Sequence, residues 1–197
     1  MNKNAKKNLR VGYLICLELL FSLLVFDQVT KKIAKSSLSG RKPFKIIKNV
    51  FELNYLEGGN KGAAWGMLKG HIGLLAVLSI IISILAILLI VRIEYLIHAE
   101  GFDKEKILKI NLIKVLLIFF AAGAIGNAID RIFRGYVIDF IYFKLIDFPI
   151  FNIADCYVVV STIVLAIMFI FFVKDEELEI IFKKKNNLNN VTANEEK

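Results

Sequence analysis

Two aspartates stand apart from the other carboxylates of this chain by their immediate surroundings. Asp139 lies between Ile138 and Phe140, and Asp155 between Ala154 and Cys156. Neither has a basic neighbour in sequence, so partial desolvation favours the protonated acid at both. Two such groups brought together cannot both ionise. One keeps a proton and the other becomes a base, which is how a carboxylate pair activates water. The pair titrates as a unit, and the sequence assigns neither member a private pKa. The remaining carboxylates have plainer readings. Asp130 directly precedes Arg131, which reads as an ion pair or a helix-end anchor. Asp147 precedes Phe148-Pro149 and reads as a turn residue. Asp27 stands four residues before Lys31, a helix-surface pair worth roughly a few tenths of a kcal/mol if exposed.

Polar residues that could serve the two aspartates are close by in the chain. Asn152, three residues before Asp155, falls on the same helix face and could hold a carboxylate by hydrogen bonding. Asn127 could do the same from a neighbouring helix, and Arg131 or Asn60 could bind carbonyl groups of a substrate. Helix-end capping and hydrogen bonding between helices would use the same residues, and spacing leaves both readings open. Ala122-x-x-x-Gly126, with Gly123 beside it, permits close helix approach.

The elements that must position these groups are membrane helices. Hydrophobic residues make up 57% of the 197, and the mean hydropathy of +0.62 lies well above that of a soluble globular chain. The net charge of +8 does not point to nucleic acid. The lysines flank the apolar runs instead of lining one soluble face, so anionic membrane lipid headgroups are the expected partner. Cys16 and Cys156 both sit in apolar runs and read as small buried hydrophobes, and no spacing suggests a metal.

Four spans are expected, at about 11–28, 72–91, 112–130 and 153–173. The first follows a basic start, but no small-x-small cleavage site ends it, so it reads as a span and not a removed leader. Glu18 within it must face other helices or water. Residues 92–109 read as a charged connection, and Lys114 as a snorkelling residue near the start of the third span. Between the first two spans, Phe51, Leu53 and Tyr55 alternate with Glu52 and Asn54, which is strand periodicity. Residues 58–62 form a Gly-rich turn, and 63–68 a short interfacial segment whose Trp65 suits the aromatic belt. Residues 131–152 read as an aromatic surface loop, and about 184–197 as a disordered tail.

Four spans put both termini on one side and residues 32–70 and 131–152 on the other. Charge does not decide which side is which. Residues 32–70 hold Lys32, Lys35, Arg41, Lys42, Lys45, Lys48, Lys61 and Lys69, more than the amino-terminal tail. A channel or carrier with membrane carboxylates would place them near mid-bilayer. Here only Glu18 is deep, and no internal repeat suggests a duplicated transporter.

Five motifs in order carry a resemblance: Asp27-Gln28-x-x-Lys31, Asn60-x-Gly62-Ala63-Ala64-Trp65-Gly66, Gly123-Ala-x-Gly126-Asn127-x-x-Asp130-Arg131, Val137-x-Asp139-Phe140 and Phe151-Asn152-x-Ala154-Asp155. Together they resemble the lipoprotein signal peptidase family (signal peptidase II). The resemblance implies an integral membrane, mainly α protein, a four-helix bundle with a small extracytoplasmic β-rich cradle, forming a single peptidase domain over 1–197. It implies an aspartic endopeptidase in the bacterial cell membrane, with both termini cytoplasmic and the active site near the extracytoplasmic face. Its substrates would be diacylglyceryl-modified prolipoproteins, cut just before the modified cysteine, with no metal or organic cofactor. The family's dyad falls on Asp139 and Asp155, and its polar support on Asn60, Gly62, Asn127, Arg131 and Asn152. Asp27, Lys31 and Asp130 are expected to be structural. Ala122 stands where a glycine is usual and Trp65 where a phenylalanine is usual; both alter packing more than chemistry.

Overall fold

The structure, a computed structural model, describes residues 2–62, 67–99 and 103–173. The expected interfacial segment with Trp65, and the expected tail, therefore fall wholly or in part outside the described residues. Among the described residues four helices are long and apolar enough to cross a membrane: α1 Lys3–Leu38, α2 Ile72–Ala99, α3 Lys104–Arg134 and α4 Ile153–Phe171. Three of them run past the expected apolar limits, and in α1 and α3 capping residues, not the edge of the apolar run, mark the ends. Asn2 caps α1, its Oδ1 accepting the Ala5 N–H at 2.8 Å. Asp103 caps α3 in the same way through the Lys106 N–H, also at 2.8 Å, and Gly135 ends it in the left-handed region at φ 73°. Most of the expected connection 92–109 is thus helical, split between the end of α2 and the start of α3.

α3 packs against all three other helices, and small residues let it. A Cβ on Gly123 would lie 2.4 Å from the Ala154 carbonyl oxygen, and one on Gly126 2.5 Å from Asp27 Oδ2. Those two bare backbones, with Ala121 and Ala122 fully buried beside them, bring α4 and α1 against α3 at the same level. Outward faces are apolar apart from Glu18, with Leu14, Phe21 and Ile170 well exposed, as suits a lipid-facing surface.

Of the two settings expected for Glu18, the other helices are not the one found: it is exposed on α1. α1 meets the bundle along the narrow stripe of Cys16, Asp27, Lys31 and Ala34, and Glu18 lies about 200° around the helix from Cys16. Lys114 does not snorkel. It turns inward to pair with Glu94, which is buried in α2 and also meets the His98 ring at 3.3 Å. Gly12 leaves room for that carboxylate where α1 crosses it.

The connections at the other end build one antiparallel sheet in the order β1-β2-β3, from β1 Phe44–Ile47, β2 Phe51–Leu53 and β3 Ile141–Phe143. The surface loop expected over 131–152 therefore contributes a strand. β2 pairs Phe51 with Phe143 and Leu53 with Ile141, and the Phe51 and Phe143 rings stack at 4.9 Å. The alternation in β2 is real but its buried residue is the polar one: Glu52 is buried and held by Lys144 at 3.1 Å. Tyr55, Ile138, Phe140 and Ile141 pack with Ala34 of α1, which seats the sheet on the end of that helix. Asp147 ends a short 3₁₀ turn in the left-handed region at φ 48°, the turn role read from its sequence.

Candidate active site

Asp139 sits on a strap, residues 137–140, between α3 and β3. The strap is hydrogen-bonded along one edge to the segment after β2: Asn54 N–H donates to Phe140 O at 2.8 Å, Leu56 N–H to Asp139 O at 3.0 Å, and Asn60 N–H to Val137 O at 2.8 Å. On its other side Phe140 N–H donates to Phe151 O at 3.0 Å. The Ile138 N–H donates to Asp130 Oδ2 at 3.1 Å. A backbone so fully bonded leaves the Asp139 carboxyl little freedom, and only 1% of the residue is exposed.

Asp155 lies in the first turn of α4, in a capping box. Its N–H donates to Asn152 Oδ1 and the Asn152 N–H donates to its Oδ2, both at 3.0 Å. Asn127 of α3 donates to its Oδ1 at 2.8 Å. Asn152 then joins the two aspartates, because its side-chain amide donates to Asp139 Oδ1 at 2.7 Å and to Asn127 Oδ1 at 3.2 Å. Asn60 holds the other oxygen of Asp139 at 2.8 Å and is itself fixed by the Gly62 N–H at 2.9 Å. The capping reading and the carboxylate-holding reading of these asparagines are both realised, in Asn152 by a single side chain.

Behind the pair lies Lys31, fully buried. Its ammonium meets Asp27 Oδ2 at 2.9 Å, Asn127 Oδ1 at 3.0 Å and Asp130 Oδ2 at 3.3 Å. Three donors have three partners, which is what a buried ammonium needs. Asp27 also accepts the Ala154 N–H at 3.1 Å, tying α1 to the start of α4. The expected exposed Asp27–Lys31 pair is therefore a buried one. The expected Asp130–Arg131 pair is absent: Asp130 is bound by Lys31, Arg134 and Gln28. Adjacent positions on a helix point about 100° apart, so Arg131 cannot turn back to Asp130. It donates instead to Gly62 O at 3.3 Å and lies within electrostatic reach of Asp155 and Asp139.

Burial raises the Asp139 pKa to about 7, with the nearby Asp155 charge adding to the rise; hydrogen bonds from Asn60 and Asn152 and the charge of Lys31 oppose it. The two carboxyl groups thus feel each other electrically. They share a hydrogen-bond donor, and they lie where the strap, α3 and α4 converge. That arrangement suits proton exchange with a small molecule such as water.

Comparison with known proteins supplies the family. The family model described as Signal peptidase (SPase) II matches residues 19–171, the whole of this network included. The chain belongs to the signal peptidase II family. The lipoprotein signal peptidase of Clostridium tetani is 40% identical over 159 residues, covering 79% of this chain and 90% of that one. That of Clostridium novyi is 38% identical over 147 residues, covering 73% and 89%. A solved structure of a bacterial membrane enzyme, obtained by the in meso method at 1.9 Å, superposes with a TM-score of 0.63 at 30% identity, over 81% of this chain and 94% of that one. Signal peptidases II are membrane proteases that remove the signal peptides of prolipoproteins. The chain is a multi-pass membrane protein, mainly helical with a small sheet.

Sequence reading left two members of the network without a role. Gln28 donates to Asp27 at 3.0 Å and to Gly126 O at 3.2 Å, and accepts from Arg134 at 3.1 Å. Arg134 pairs with Asp130 one turn back on α3. The i, i+4 spacing of Asp130 and Arg134 was the available signal for that pair. Gln28 stands in the Asp27-Gln28-x-x-Lys31 motif, which marks its position but not its partners.

Proposed function

We propose that Asp139 and Asp155 are the catalytic dyad of an aspartic endopeptidase that cuts diacylglyceryl-modified prolipoproteins just before the modified cysteine. The observation that carries this reading is Asn152, whose side chain donates to Asp139 while its backbone donates to Asp155. With one proton on the pair, Asp139 holds it near neutrality and Asp155 acts as the base. The amino end of α4, where Asp155 sits, favours a negative charge there. Asp155 takes a proton from water as the water attacks the scissile carbonyl, and Asp139 gives its proton to the carbonyl oxygen. The tetrahedral intermediate collapses with proton transfer to the leaving amine, and no covalent bond to the enzyme forms. Asn60, Asn127 and Asn152 position the carboxyls. Arg131 and Gly62, bonded to each other beside the pair, would hold the peptide backbone. Asp27, Lys31 and Asp130 lock α1, α3 and α4 in place.

The termini would be cytoplasmic, and the sheet with the dyad would face outward, so that the signal helix enters from lipid and its acyl chains stay there. Cleavage of a diacylglyceryl-modified precursor peptide by the purified protein is the test, and no product would contradict the reading.

The pH dependence follows from Asp139. The dyad works with one proton, so kcat/KM should fall as pH rises through about 7, where Asp139 loses it. Asn60 donates to the ionised Asp139 carboxylate and so favours it. In Asn60→Ala the alkaline limb should therefore move to higher pH. A limb that stayed in place or moved down would count against Asp139 as the acid. Asn152→Ala removes a helix cap, which costs about 1 kcal/mol, together with a donor to Asp139. It should stay folded by thermal melting yet lose activity far beyond that small loss of stability.

A further inference from the structure

On the same end of the bundle as the dyad, but outside it, α1 and α3 leave a groove of about 440 Å³ lined by Lys32, Lys35, Ser36, Ser39, Arg134 and Ile138. Three cations line it and, among the described residues, no carboxylate does. Lys32 pairs with no carboxylate among the described residues. Lys35 commits one proton to Tyr136 Oη at 2.9 Å and has two to spare. Arg134 uses Nη1 on Asp130 and Gln28 and keeps the rest of its fork. Neither Asp130 nor Glu57 is among the lining residues. Asp130 is fully buried behind Arg134, and Glu57 is held by the Gly40 N–H at 2.7 Å and Ser39 Oγ at 3.3 Å.

The groove also sits at the edge of the apolar surface. Next to Lys32 on α1, Ile33 is 57% exposed, with Val29 one turn below it. Next to Arg134 on α3, Phe133 is 80% exposed and Ile132 54%. Exposed apolar side chains at the same level of both helices thus border the three cations, apolar surface beside charge that suits a phospholipid's tails and phosphate.

We propose that this groove seats the phosphate of an anionic phospholipid headgroup, with acyl chains along Val29–Ile33 and Phe133. Charge complementarity selects an anionic lipid over a zwitterionic one, whose own ammonium the three cations would repel.

The test uses the full chain in nanodiscs of mixed phosphatidylglycerol and phosphatidylcholine, with lipid retained on the released protein counted by mass spectrometry. Phosphatidylglycerol should be enriched over its share of the bilayer. Lys32→Ala should lower the enrichment about fivefold, and Lys32→Ala/Lys35→Ala should remove most of what remains. Lys45→Ala/Lys48→Ala, which removes two equally exposed lysines away from the groove, should leave it unchanged. Unaltered enrichment in the groove variants, or an equal loss in the Lys45/Lys48 control, would overturn the proposal. So would binding of inorganic phosphate in pure phosphatidylcholine discs without enrichment of phosphatidylglycerol, which would make the site one for a soluble anion.

Discussion

Asp139→Asn is expected to lower the rate of precursor cleavage by about 10²–10⁴ while the protein still inserts and purifies. The substitution keeps size and shape but removes the proton-donating acid. It also sets an amide against the donors of Asn60 and Asn152, which now hold the two carboxyl oxygens at 2.8 and 2.7 Å. One of those contacts must open, a local cost that leaves the strap's backbone bonds to residues 54–60 intact. Asp155→Asn should be equally inactive for the complementary reason, since it removes the base and sets an amide against the donors of Asn127 and the Asn152 N–H, one of which must let go. A single-turnover assay on a diacylglyceryl-modified precursor, with thermal melting of each variant alongside, separates lost chemistry from lost folding. Cleavage within a few-fold of wild type by either variant would remove that residue from the dyad.

The largest effect on stability is expected at Lys31. As an exposed i, i+4 partner of Asp27 it would contribute only a few tenths of a kcal/mol, roughly. It is instead fully buried between Asp27 and Asp130. Lys31→Met therefore leaves Asp27 buried without its cation and weakens the hold on Asp130, and a loss of about 3–5 kcal/mol is expected. Asp130 keeps Arg134 and Gln28, so the damage should centre on Asp27. For that reason Lys31→Met/Asp27→Asn should recover part of the lost stability, because the second change neutralises the stranded charge. Thermal unfolding in one detergent compares the three proteins. A loss of only a few tenths in Lys31→Met, or a double variant less stable than the single, would mean that the buried cation does not clamp α1, α3 and α4.

How much of this was legible in the sequence differs from element to element. The four spans were, because twenty or so apolar residues in a row have few alternatives. Their ends were not, since Asn2, Asp103 and Gly135 end helices by local hydrogen bonding that hydropathy does not register. The strand at 51–53 was visible as alternation, yet which face it buries was not. Glu52 goes inside because Lys144, ninety-two residues away, is there to meet it. Asp139 and Asp155 were distinguished by their lack of cationic neighbours, and the structure surrounds both with amides. Asp27, Lys31, Asp130 and Arg131 were paired wrongly, or in the wrong environment, for one reason. Proximity in sequence suggests a partner, but the direction in which a helix projects a side chain, and what packs against it, decides. Glu94 and Lys114 were missed as a pair because they belong to different helices.

The measurement that bears most directly on water activation by the dyad is single-turnover cleavage of a diacylglyceryl-modified precursor in ¹⁸O-labelled water, wild type beside Asp155→Asn. The wild type should place one ¹⁸O in the new carboxylate of the released signal peptide in the first turnover, and Asp155→Asn should release no labelled product. Unlabelled product from the wild type, or labelled product from Asp155→Asn at a rate near that of the wild type, would contradict the account.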